Sequence, residues 1–159
     1  MHIYDNFLTP QDFAIMYPHF SSKGFTFKHR SDTNKQSPHQ GQLAYYCVEA
    51  DRPVLMKVCS GLGIKEYQRA YVQIYTPSTI TYKHKDITND SVLFFIHPQY
   101  DRDWGGEFIT FDKEQEGVGT SIAPLRNRLI RFDGAKYEHV GHAFNSLATC
   151  YRMVLVINL

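Results

Sequence analysis

The sequence predicts a mainly β domain: a jelly roll, or double-stranded β-helix, of about eight antiparallel strands, with N-terminal helices bracing one sheet. Two observations predict it. After Lys65 the chain breaks into short apolar runs separated by turn residues, the texture of an all-β fold. The 11 Tyr and 11 Phe point the same way, because aromatic side chains suit a pleated, half-buried surface. A length of 159 residues supports one domain with a real core, and a hydrophobic content of 43% excludes a disordered chain.

The elements follow in order. Ile3 to Leu8 reads as a short strand or extended lead-in. Thr9 is placed to cap a helix, Pro10 suits its first position, and Asp12 completes a capping box. Phe13, Met16 and Tyr17 form the apolar face of that helix, and Pro18 discourages its continuation. Phe25-Thr26-Phe27 is a candidate strand. Residues 28–41 hold no aliphatic or aromatic side chain, so we expect a surface loop there and consider it as a lid over a site. Leu43 to Val48 is extended. Asp51-Arg52-Pro53 opens a second helix with Val54, Leu55, Val58 and Leu62 on one face and Gly61 and Gly63 at its end.

Residues 1–66 are thus support for a jelly-roll core over 67–159. Its eight strands are expected at 69–76, 79–84, 91–97, 107–112, 118–123, 128–133, 137–141 and 151–158. No repeat or linker divides the single domain.

Charge and cysteines narrow the classes. A net charge of +1 lacks the basic footprint of a dedicated nucleic-acid binder. Cys47, Cys59 and Cys150 are odd in number and widely spaced, which suggests neither a disulfide framework nor a zinc motif. With no signal peptide and no membrane-spanning run, a cytoplasmic location is expected.

The chemistry centres on His84-Lys85-Asp86. On an extended backbone residues i and i+2 share a face, so one imidazole and one carboxylate meet at one point. A further His completes the facial triad that holds non-haem Fe(II) with open positions. His97, His139 and His142 are the later candidates, and spacing alone does not choose between His139 and His142. Arg152 is the second anchor. It shares a face with Val154 and Val156 on a final strand apolar on both sides, so its guanidinium points inward and needs a carboxylate partner, from the protein or bound.

These residues carry a family resemblance. Over residues 70–159 the chain resembles the Fe(II)- and 2-oxoglutarate-dependent dioxygenases, in their prolyl 4-hydroxylase-like branch. Val72-Gln73-Ile74-Tyr75 resembles that family's Tyr-bearing strand, and His84-Lys85-Asp86 its His-x-Asp. Gly105-Gly106-Glu107-Phe108-Ile109-Thr110-Phe111 is similar to its Gly-Gly-Glu strand. Ile122-Ala123-Pro124 with Asn127-Arg128-Leu129-Ile130-Arg131-Phe132, then His139-Val140 and Tyr151-Arg152, follow in the family's order. Tyr4-Asp5-Asn6-Phe7-Leu8-Thr9 is similar to its usual opening.

The resemblance implies that His84, Asp86 and His139 bind Fe(II). It implies that Arg152, helped by Tyr75, binds the far carboxylate of 2-oxoglutarate, and that the catalytic set is His84, Asp86, His139 and Arg152. Dioxygen is the co-reactant, succinate and carbon dioxide are released, and ascorbate is a further ligand to expect. The substrate implied is a protein or peptide side chain, most of all proline, with Trp104 and the loop before it as candidate contacts.

Two departures stand out. Arg152 follows His139 by thirteen positions, more than usual, which keeps His142 as a fallback ligand. Phe95-Ile96-His97 replaces a motif whose Tyr helps to bind the cosubstrate, leaving Tyr75 as the phenol. The runner-up readings are a nucleic-acid or small-molecule oxygenase and a non-catalytic binding jelly roll. The base-demethylating branch carries a second Arg six positions after the first, where this chain has Asn158.

Overall fold

The computed structural model describes residues 1–26, 42–111 and 119–159. Strands β1 (His2–Tyr4), β2 (Gln42–Tyr46), β3 (Arg69–Tyr75), β4 (Ser91–Phe95), β5 (Phe108–Phe111), β6 (Gly119–Ile122), β7 (Leu129–Phe132), β8 (Glu138–Gly141) and β9 (Arg152–Asn158) form two antiparallel sheets. The larger has the order β1-β7-β4-β9-β3-β2 and the smaller β6-β5-β8. This is the jelly roll the sequence predicts, enlarged by β1 and β2, which grow out of the two extended N-terminal stretches. Residues 27–41, with the expected loop and Phe27, lie outside the described residues, as do 112–118 at two strand ends.

Helix α1 (Pro10–Ser21) starts where its cap dictates. The Asp12 amide donates to Thr9 Oγ1 at 3.1 Å, and the Thr9 hydroxyl returns a bond to the Asp12 carboxylate at 3.0 Å. Pro18 does not end it, contrary to expectation. The helix runs a further turn to Ser21 because Phe20, fully buried, holds it on the sheet. Helix α2 (Arg52–Gly61) buries Leu55, Val58 and Cys59, with Val54 and Leu62 at the edge of that core.

Asp51, fully buried before α2, ties the helices together. It accepts from His19 Nε2, Lys23 Nζ, the Tyr45 hydroxyl and the Val48 amide at 2.8–2.9 Å. Burial alone raises a carboxyl pKa, but these donors outweigh it and hold Asp51 well below the usual range.

Both faces of the larger sheet are buried, which explains why β4 and β9 read as unbroken apolar runs. Val92, Phe94, Ile96, Met153, Leu155 and Ile157 face the helices. Leu93, Phe95, Val154 and Val156, with Ile130 and Phe132 of β7, face the smaller sheet, where Phe108 and Ile122 meet them. At about 25 cal/mol per Å2 of apolar area, such burial is the main term holding both layers together.

One expected strand is absent. Residues 79–84 form no ladder with the described residues, among which only His84 pairs, in an isolated bridge with His139. The turn at 76–79 is closed by the Thr79 hydroxyl on the Thr76 amide at 2.9 Å. Beyond it Ile80 and Tyr82 are exposed, so no apolar face fixes a register.

Candidate metal centre

His84 and Asp86 reach the site from the irregular segment after β3, and His139 from β8. One donor atom from each lies within 4.8 Å of the others. Asp86 Oδ1 is 3.9 Å from His84 Nε2 and 3.8 Å from His139 Nε2, and the imidazole centroids are 4.4 Å apart. Backbone pairing sets this approach: His84 and His139 exchange N–H to carbonyl bonds of 3.0 and 2.8 Å across the isolated bridge.

The tautomers are set as a ligand set requires. His84 Nδ1 donates to the Tyr82 carbonyl at 3.1 Å, and His139 Nδ1 to the Tyr137 carbonyl at 2.9 Å. A neutral imidazole with its proton on Nδ1 offers the Nε2 lone pair. Burial lowers the His139 pKa, and the neighbouring His84 lowers it further, so the ring is neutral at neutral pH. Two imidazole nitrogens and one carboxylate oxygen match an N/O-preferring divalent ion such as Fe(II).

Asp86 is held from behind. Its amide donates to the Gly134 carbonyl at 2.9 Å, and its Oδ2 accepts from Ser91 Oγ at 2.6 Å. Gly134 is needed for this approach, because a Cβ there would lie 2.5 Å from Asp86 Oδ2 and 2.6 Å from Ser91 Oγ.

The triad opens on a cleft of about 400 Å3, its open mouth included, lined also by Tyr71, Gln73, Tyr75 and Arg152. Tyr71, Gln73 and Tyr75 alternate along one face of β3. Tyr75 stands opposite Arg152 in the β3–β9 register. Arg152 is 1% exposed, as its inward face predicts. Its guanidinium carbon lies 4.4 Å from the Tyr75 ring centroid and 5.1 Å from that of Phe95.

Arg152 Nε donates to the Gly106 carbonyl at 3.0 Å, but Nη1 is buried without a hydrogen-bond partner among the described residues. Burial lowers this group's pKa, but an arginine guanidinium keeps its charge in proteins. Gly106, at φ +85°, aims its carbonyl at Arg152, and a Cβ there would meet Phe144 Cδ1 at 2.5 Å. A buried cation with an orphaned donor is costly unless an anion joins it, and a bound carboxylate fits that vacancy of partners.

The other histidine candidates stand apart. His142 is exposed beyond β8 and does not line the cleft. His97 is fully buried, donates from Nε2 to the Pro124 carbonyl at 2.8 Å, and has its pKa pushed down to about 4, first by burial and then by Arg152. Trp104 packs edge-on against Phe144 at 5.6 Å. Arg128 and Arg131 form the surface salt bridges their positions suggest, with Asp5 and Asp90.

Tyr71 and Gln73, which line the cleft, and Ser91 and Asn158, which lie behind Asp86, are marked as site residues by no motif in the sequence. The alternation of polar side chains at 71, 73 and 75 carried a signal for the first two. The others depend on lateral neighbours.

No protein-family model matches the chain. No curated protein matches it by sequence. Solved structures do match. A Trichoplax adhaerens prolyl hydroxylase, in complex with a hypoxia inducible factor oxygen degradation domain peptide, gives a TM-score of 0.72 at 16% identity, over 99% of this chain and 82% of that one. The viral collagen prolyl hydroxylase of Paramecium Bursaria Chlorella virus-1, in its 2OG complex, gives 0.68 at 15%, over 99% and 93%. HygX from Streptomyces hygroscopicus, with nickel, 2-oxoglutarate and hygromycin B bound, gives 0.69 at 7%, over 98% and 79%. The chain therefore has the fold on which these prolyl hydroxylases and 2-oxoglutarate-binding proteins are built.

Proposed function

We propose that the protein is an Fe(II)- and 2-oxoglutarate-dependent dioxygenase that hydroxylates a protein or peptide side chain, in the manner of a prolyl 4-hydroxylase. The observation that carries the reading is one cleft holding both a His-Asp-His donor set and a buried guanidinium whose Nη1 is unpaired among the described residues. The fold likeness to prolyl hydroxylases, one of them in complex with a peptide, supports the substrate class.

In this reading His84, Asp86 and His139 hold Fe(II), and Arg152 receives the far carboxylate of 2-oxoglutarate. Bound Fe(II) supplies activation of dioxygen and oxidation of a C–H bond, coupled to release of succinate and carbon dioxide. The chain supplies orientation and exclusion of water. Tyr75, its phenol pKa raised by burial, stays protonated against the guanidinium and donates to Gln73 Oε1 at 2.8 Å. Tyr71, Leu93, Phe108, Val154 and Val156 make the rest of the wall largely apolar, which strengthens each polar contact inside.

The test is anaerobic addition of Fe(II) and 2-oxoglutarate to the parent, His139→Ala and His142→Ala proteins, reading the weak visible charge-transfer band of the chelate. The band is expected in the parent and in His142→Ala, and absent in His139→Ala. No band in the folded parent would sink the reading and leave a binding jelly roll. Succinate release stimulated by proline-containing peptides then tests the substrate class. HygX, with hygromycin B bound, shares the fold at a similar score, so stimulation only by small hydroxylated compounds would favour a small-molecule oxygenase.

A further inference from the structure

A polar row crosses the larger sheet and ends on Asp86. Arg69, Asn158 and Ser91 are lateral neighbours on β3, β9 and β4, with Arg69 in register with Asn158 and Asn158 with Ser91. Arg69 donates from Nη2 and Nε to Asn158 Oδ1 at 2.9 and 3.2 Å. Asn158 Nδ2 lies 3.2 Å from Ser91 Oγ and 3.2 Å from Thr88 Oγ1. The Ser91 hydroxyl donates to Asp86 Oδ2 at 2.6 Å.

Each direction in the row is fixed by the one before it. Arg has only donors, so Asn158 must turn its oxygen toward Arg69 and its amide hydrogens toward Ser91. Ser91 accepts there, and its own hydrogen goes to a carboxylate that can only accept. The 2.6 Å contact is in the range of a charge-assisted O–H···O⁻ bond. Ser91 and Asn158 are 0% and 2% exposed, on strands whose other buried residues are almost all apolar. Such positions serve packing equally well with apolar side chains, so their polarity has another use.

We propose that Arg69, Asn158 and Ser91 are a positioning relay for Asp86, fixing which carboxylate oxygen faces the imidazoles and so setting divalent-metal affinity. The proposal rests on the metal-centre reading above. With Oδ2 held by Ser91, Oδ1 is the oxygen presented to His84 and His139 Nε2. The relay begins at an exposed residue, Arg69, and acts on the centre without touching it.

The experiment titrates the full chain with Mn(II) alone and follows free and bound Mn(II) by electron paramagnetic resonance, beside thermal melts of the metal-free proteins. Ser91→Ala is expected to weaken binding by about tenfold or more, the scale of losing a partner of a metal ligand. It should also change the spectrum of bound Mn(II), which lost folding alone does not do. Ser91→Thr keeps the hydroxyl and should restore parent-like affinity and spectrum. Arg69→Met, at the exposed end where folding tolerates change, should weaken binding by a smaller factor, about threefold. Parent-like affinity in either Ser91→Ala or Arg69→Met overturns the relay and leaves the metal centre standing. A folded parent that binds no Mn(II) overturns the centre itself, and the relay with it.

Discussion

Gly134 and Asp86 are in direct contact: the Asp86 amide donates to the Gly134 carbonyl at 2.9 Å, and a Cβ on Gly134 would stand 2.5 Å from Asp86 Oδ2. The absent side chain is therefore part of the centre. Gly134→Ala should push the Asp86 carboxylate out of position. Overpacking of this kind costs about 1–3 kcal/mol, and metal binding should suffer more than folding does. Calorimetric titration with Mn(II) beside a denaturant melt measures both, and unchanged affinity would show that the carboxylate can move away without consequence.

Arg152 is the clearest test of the proposed cosubstrate site. Arg152→Met removes a buried cation whose Nη1 has no partner among the described residues. Losing one partner of a buried charge pair costs about 2–5 kcal/mol, so 2-oxoglutarate binding should weaken by roughly 30-fold or more. The ligand-free protein should melt no lower, because an unpaired buried charge does not stabilise the fold. Arg152→Lys should also bind poorly, since an ammonium lacks the planar fork that grips a carboxylate. Equilibrium binding under anaerobic conditions decides this, and parent-like affinity in Arg152→Met would remove Arg152 from the site.

His97 gives a pH signature. Its folded pKa of about 4 lies below the ordinary 6.5, because burial and Arg152 disfavour the imidazolium. The unfolded chain therefore binds more protons between these values. The contribution of His97 is complete above about pH 6.5 and is lost as pH falls toward 4, with a slope of at most about 1.4 kcal/mol per pH unit. Urea denaturation of metal-free parent and His97→Phe at pH 7, 6 and 5 isolates the term by difference. Equal slopes in the two proteins would contradict it.

The fold was legible where local and lateral signals agree. Thr9, Pro10 and Asp12 announce α1, and the double-sided apolar runs of β4 and β9 announce strands buried on both faces. The segment before His84 misled, because β-branched and aromatic residues there suggest a strand while no apolar surface receives them. Pro18 misled too, since packing of Phe20 outweighs the local penalty. At the site, His84, Asp86, Tyr75 and Arg152 were legible from period-two alternation and motif order. Spacing along the chain left His139 and His142 level; the family resemblance implied His139, and the β8 bridge to His84 brings that ring beside it. Ser91 and Asn158 were not legible, because their meaning lies across the strands rather than along them.

Strand β9 alternates its two tasks residue by residue, with Arg152, Val154 and Val156 toward the cleft and Met153, Leu155 and Ile157 toward the helices. A slip of one position against β3 would send the guanidinium into the helical core and bring Met153 or Tyr151 to its place opposite Tyr75. Misregistered chains would thus bury a charge in oil-like surroundings at a cost of several kcal/mol. The group that is awkward in the native cleft is far worse in every neighbouring alignment, so Arg152 also proofreads the pairing of the central strand.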